Sequence, residues 1–147
     1  MFRHILVPTD GSGLSTKIVN QAVGFAKDAG AKITFYFAKP DCPVAFYAGM
    51  DTIDPLTLES LANMTEQQAE QILAACEKLA RDAGVTCARA STVSDSPYRG
   101  IIDAAASNGC DLIFMASHGR HGLNALLLGS ETSKVLAHAT IPVLVSR

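Results

Sequence analysis

The chain is short of several features that mark large functional classes. Only 18% of its 147 residues are charged and the net charge is −2. It therefore lacks the basic surface that captures nucleic acid through its phosphates, which argues against DNA or RNA as the main partner. Its four cysteines, Cys42, Cys76, Cys87 and Cys110, stand far apart, with no CxxC pair and no histidine at metal-ligand spacing. That pattern suits buried or surface thiols in a reducing compartment rather than a zinc site. The apolar run Ile5-Leu6-Val7 behind Met1-Phe2-Arg3-His4 is too short for a signal peptide or a membrane span. A cytoplasmic protein with no membrane partner is the expectation. The lysine-containing phosphate loop, GxxxxGK followed by Ser or Thr, is missing, as are kinase-type signatures.

What is present is a 48% hydrophobic composition, enough for one core in a single domain over residues 1–147. Ile5-Leu6-Val7 reads as a strand ending in the turn and capping cluster Pro8-Thr9-Asp10-Gly11-Ser12. From Leu14, apolar residues recur at helical spacing until Gly30 stops the helix. The β-branched and aromatic run Ile33 to Phe37 predicts a strand buried on both faces. Pro40 to about Pro55 shows no sustained period and predicts a long loop, either a lid or a simple insertion. A long helix then runs to Ala83 with Leu61, Ala69, Ile72, Leu73, Cys76, Leu79 and Ala80 as its core stripe.

Val85 to Thr92, with Arg89 inside it, suits an edge strand. Ser96 as cap and Pro97 at the first helical position open the next helix, which ends before Gly109. Leu112 to Met115 is the most hydrophobic strand candidate and is expected to be central. Ser130 to His138 is helical, and Pro142 to Val145 is a last strand with proline at its first residue. Five strands alternating with four helices predict an α/β fold, a parallel sheet with helices on both faces.

Ligands of such sheets sit beyond the carboxyl ends of the strands, where neighbouring crossovers diverge. Two loops qualify there, Pro8 to Ser12 and Ala116 to Gly122, and they share a crevice if their strands are neighbours. The second leads to Gly129-Ser130-Glu131-Thr132 at a helix start, where unpartnered amides and the positive end of the dipole favour an anion. Taken alone, Gly129-Ser130 is more often a turn followed by a cap. Ser117, His118 and His121 suggest a catalytic histidine and serine, but neighbouring residues need not bring their side chains together, and no carboxylate is placed to orient the ring.

Here the sequence resembles the universal stress protein family, particularly its nucleotide-binding branch, whose motif is glycine, two residues, glycine, nine residues, then glycine with serine or threonine. Gly119, the nine residues Arg120 to Leu128, and Gly129-Ser130 match its later parts, while Ala116 stands where the first glycine is expected. That alanine is unfavourable if the position needs positive φ and harmless if the backbone is extended. Asp111 to Gly119, Ile141 to Val145, and Ile5 to Ser12 also look like the family.

The resemblance implies a Rossmann-like fold of the adenine nucleotide alpha hydrolase type, with sheet order 3-2-1-4-5. It places adenine against Pro8, Thr9 and Ala38, ribose hydroxyls on Asp10, and Met115 and Ala116 beneath the nucleotide. The phosphates fall to Gly119, Gly129, Ser130 and the amides of Glu131 and Thr132. ATP is the implied ligand, with ADP or AMP as alternatives, and Asp10 is a candidate ligand for Mg²⁺ carried with the phosphates. The implied role is regulation under stress with at most slow hydrolysis. Alternatives are a non-nucleotide branch acting through partners and a true ATP hydrolase or phosphotransferase. A homodimer through Val143 and Val145 of the last strand is also implied.

Overall fold

The computed structural model describes residues 1–41, 55–118 and 128–147. Most of the predicted loop from Pro40 to Pro55 lies outside the described residues, as do Cys42, Gly119 and His121. The elements run β1 (His4–Pro8), α1 (Gly13–Ala29), β2 (Lys32–Lys39), α2 (Pro55–Asp82), β3 (Cys87–Val93), α3 (Pro97–Ser107), β4 (Leu112–Ala116), α4 (Ser130–His138) and β5 (Val143–Ser146). All four strand pairings are parallel, in the order β3-β2-β1-β4-β5.

Alternation along the strands builds two cores. Ile5 and Val7 of β1 face one way with Ile33, Phe35 and Phe114, and are covered by Ile18, Val19 and Ala22 of α1 and by Ala69 and Leu73 of α2. Leu6 faces the other way with Tyr36, Ile113 and Met115, beneath Ile101, Ala104 and Ala105 of α3 and Val135 of α4. The period of two in β1 thus serves both layers, which is why Ile5, Leu6 and Val7 are apolar in succession. It also makes β1 the central strand; β4, expected at the centre, is its neighbour. β3 lies at the sheet edge as expected.

Glycines end the helices as read: Gly30 closes α1 at φ 66°, and its amide reaches back to the carbonyls of Ala26 and Lys27. Two details differ. Pro142 precedes β5 instead of opening it, and its carbonyl accepts from the Ile113 amide at 3.0 Å. Ser96 stands at the α3 N-cap, but its side chain makes no capping bond, because the Tyr98 amide donates to Glu131 Oε2 at 2.8 Å. A carboxylate from α4 therefore caps α3.

Candidate functional site

Because β1 and β4 pair directly, the loops after them open side by side at the carboxyl end of the sheet. Between them lies a cleft of about 430 Å³, within the usual size of a small-molecule site. Pro8, Thr9, Asp10, Ala38, Met115, Ala116, Gly129, Ser130, Glu131 and Thr132 all line it. Every residue that the family resemblance assigns to the nucleotide is thus on one wall or another, except Gly119, which falls outside the described residues.

The β1 side is held by a closed network of short polar side chains. The Thr9 amide donates to the Tyr36 carbonyl at 2.9 Å, carrying the sheet pairing one residue past the strand. Thr9 Oγ1 and Ser15 Oγ lie 2.6 Å apart, both residues buried, and the Gly11 amide donates to Thr9 Oγ1 at 3.3 Å. Asp10 Oδ1 accepts from the Ser12 amide at 2.8 Å, and Ser12 Oγ accepts from the Ser15 amide at 3.2 Å, which caps α1. Gly11 has φ 77°, and a Cβ there would meet Ile72 at 2.8 Å, so the turn requires glycine on two counts.

The β4 side is pinned from below. The Ser117 amide donates to the Ser146 carbonyl and the Ser117 carbonyl accepts from the Gly129 amide, both at 2.8 Å. Thr132 Oγ1 donates to the Ala116 carbonyl at 3.0 Å from a buried position. The start of α4 is thereby fastened to the end of β4. Gly129 has φ −62° and ψ 155°, so it is not there for a left-handed turn. A Cβ on it would lie 3.0 Å from His118 Cα and Cβ, so glycine is needed because two backbones pass close together. Its own amide donates to the Ser117 carbonyl, so what Gly129 offers the cleft is a close approach to the backbone.

Ala116 is the last residue of β4, paired with Ser146, and no described residue other than glycine has positive φ. The methyl group therefore costs nothing in backbone conformation. Ser117 and His118, whose adjacency alone does not require it, do meet: Ser117 Oγ lies 2.9 Å from His118 Nδ1. Ser117 is only 2% exposed and is not on the cleft wall, whereas His118 is. A serine so enclosed is placed to orient the imidazole rather than to attack a ligand in the cleft.

Sequence reading did not assign Ser15, Tyr36, Phe37, Pro40, Gln68, Pro97 and Ile101 to the site, yet they line the cleft, as does His118, which was considered there only as a catalytic candidate. Phe37 lies beside Ala38, which the resemblance named, at the carboxyl end of β2. Gln68 arrives from the middle of α2 and has no local signal. Tyr36 is fully buried, its hydroxyl 2.5 Å from Thr92 Oγ1, and desolvation raises its pKa. Gly100 makes room for it, because a Cβ there would stand 2.2 Å from that hydroxyl.

Burial also raises the thiols of Cys76 and Cys110, the latter to about 11, so both stay protonated at neutral pH. Among the described residues no group of three or more His, Cys, Asp or Glu side chains could hold a metal, and no helix is long and apolar enough to cross a membrane.

Comparison with known proteins gives this arrangement its context. A universal stress protein of Thermus aquaticus is 33% identical over 147 residues, and protein YxiE of Bacillus subtilis, a universal stress protein, is 29% identical over 151; each alignment spans 100% of both chains. The solved structure of protein MJ0577 superposes with a TM-score of 0.81 at 25% identity, covering 99% of this chain and 95% of that one. The same fold, at TM-scores of 0.72, 0.68 and 0.68 and 22%, 18% and 14% identity, is seen in a universal stress protein in complex with cAMP, in one from Archaeoglobus fulgidus in complex with dAMP, and in one from Arabidopsis thaliana with AMP bound. These three cover 97–99% of this chain and 90–98% of their own. The universal stress protein family model matches residues 1–147, and the chain is a member of that family.

Proposed function

We propose that this protein is an adenine-nucleotide-binding regulator in which ATP occupancy of the β1/β4 cleft reports or alters the state of the cell, with at most slow hydrolysis. One observation carries the reading: α4 opens onto the cleft with a glycine at its N-cap and, among the described residues, no side-chain cap. The first amides of a helix lack helical acceptors and sit at the positive end of the dipole, so an uncapped start facing a cleft suits a phosphate. Relatives of the same fold hold cAMP, dAMP and AMP, which favours an adenine nucleotide as the anion's carrier.

In this reading adenine lies against Pro8, Thr9 and Ala38 over Met115 and Ala116, with the ribose at Asp10. The amides of Ser130, Glu131 and Thr132, the Ser130 hydroxyl and Gly119 receive the phosphates. A carboxylate has several acceptor positions, so Asp10 serves the ribose or phosphate-borne Mg²⁺ while one oxygen holds the Ser12 amide. Hydrogen bonds to charged phosphate contribute about 1.5–3 kcal/mol each against an association cost of at least about 4 kcal/mol. A few of them give affinity near micromolar, about 8 kcal/mol.

β5 lies at the edge of the sheet, and its outer backbone row suits pairing with a second copy about a two-fold axis. Val143 and Val145 pack toward the α3/α4 layer, so the backbone between them makes the pairing of the proposed homodimer. A monomer in light scattering at micromolar concentration counts against it. The ligand is tested by denaturing the purified protein and identifying released nucleotide by mass spectrometry, with ATP, ADP and AMP titrated by calorimetry. An adenine nucleotide is expected; an empty protein that ignores ATP with and without Mg²⁺ overturns the reading.

A further inference from the structure

The cleft already contains an anion of its own. α3 begins at Pro97, which has no amide hydrogen, and its next amide, that of Tyr98, donates to Glu131 Oε2 at 2.8 Å. Glu131 belongs to the first turn of α4, one residue beyond Ser130, and both line the cleft. Its carboxylate thus bridges two helix starts. The other oxygen accepts from Lys134 Nζ at 3.2 Å, and Lys134 is half-exposed, so solvent screens that partner more than it screens the backbone amide.

We infer that Glu131 is a charge selector: a fixed negative group at the phosphate end of the cleft that weakens a nucleotide's binding more with each phosphate it carries. The inference rests on the nucleotide reading. Three features support it. The carboxylate is held in place by a backbone amide, so it cannot swing away at no cost when an anion arrives. It occupies the Tyr98 amide at the α3 start, so that amide is not offered to a further phosphate. And each added phosphoryl group brings about one more negative charge, which a like charge in a partly enclosed cleft repels more strongly than it would in bulk water. A monophosphate meets this repulsion least, so the cleft ranks adenine nucleotides by charge as well as by shape.

The test is calorimetric titration of AMP and of ATP without magnesium at pH 7.5. Glu131→Gln removes the charge and keeps an acceptor oxygen for the Tyr98 amide, so α3 stays capped. The ratio of ATP to AMP affinity is expected to rise about fivefold, chiefly through ATP. A ratio within twofold of the unaltered protein overturns the inference. Lys134→Gln, at a half-exposed helix position, removes the partial counter-charge and is expected to lower the same ratio at least twofold; a rise overturns the inference even if the Glu131 variant does not fold. If neither nucleotide gives heat with the unaltered chain, the nucleotide reading fails and the selector with it. That result is distinct from binding with an unmoved ratio.

Discussion

The helices that follow β1 and β4 begin at the same end of the sheet beyond adjacent strands, yet their starts are finished in opposite ways. At α1 the chain satisfies itself: Ser12 Oγ accepts from the Ser15 amide, Asp10 Oδ1 from the Ser12 amide, and Thr9 and Ser15 join hydroxyls beneath. At α4 the bonds lie below the helix, from the Gly129 amide to Ser117 and from Thr132 Oγ1 to Ala116. They position a first turn whose N-cap, a glycine, supplies no side-chain capping bond. Equal topology thus yields one start closed by its own side chain and one, with glycine before the helix in place of serine, to which the proposed function assigns the anion.

The comparison breaks most visibly at Gly129. In Gly129→Val the Cβ must displace backbone and Cβ of His118 from 3.0 Å, so the α4 start moves off the end of β4. Loss of two phosphate hydrogen bonds of about 1.5 kcal/mol each predicts ATP affinity down about a hundredfold. Overpacking adds about 1–3 kcal/mol of destabilisation. Calorimetry and urea unfolding read the two effects. Unchanged affinity in a folded variant means that α4 does not hold the phosphates.

Ser130 carries the next effect. Its hydroxyl is on the cleft wall in the first turn of α4, and Ser130→Ala is expected to weaken ATP about tenfold, about 1.4 kcal/mol, with the fold intact. Ser12→Ala makes the converse case at α1. It removes a cap worth about 1 kcal/mol of stability, seen as a lower urea midpoint, while ATP affinity stays within about twofold. Should Ser12→Ala weaken ATP as much as Ser130→Ala does, the contrast between scaffold start and receptive start is wrong.

How much of this was legible in the sequence follows the range of the interactions. The strands and the α1 stop rest on period and on Gly30, signals contained in a few neighbouring residues, and the structure agrees with them. Ser12 was readable as a cap for the same reason. Ser96 carried the same local signal and does not cap, because Glu131, distant in sequence, reaches the Tyr98 amide first. No window around Ser96 contains that competitor. The 2.9 Å contact of Ser117 with His118 was within reach of local reading but depends on where the β4 strand ends and the chain bends. Gly129 was read as a turn or an anion contact, whereas its tight approach to His118 depends on two segments meeting in space.

Ala116 tests how literally the glycine motif should be taken. If the motif's first position needed glycine for backbone freedom, Ala116→Gly would relieve strain and improve ligand binding. The position is instead the extended end of β4, paired with Ser146, with its carbonyl receiving the Thr132 hydroxyl. Glycine there gains no conformation the alanine lacks and loses more entropy on folding, about 0.5–1 kcal/mol. Ala116→Gly is therefore expected to lower the urea midpoint slightly and to move ATP affinity less than about twofold. A gain of tenfold would show that the methyl group itself stands where the ligand must lie, and that the receptive side of the cleft includes the end of β4 as well as the start of α4.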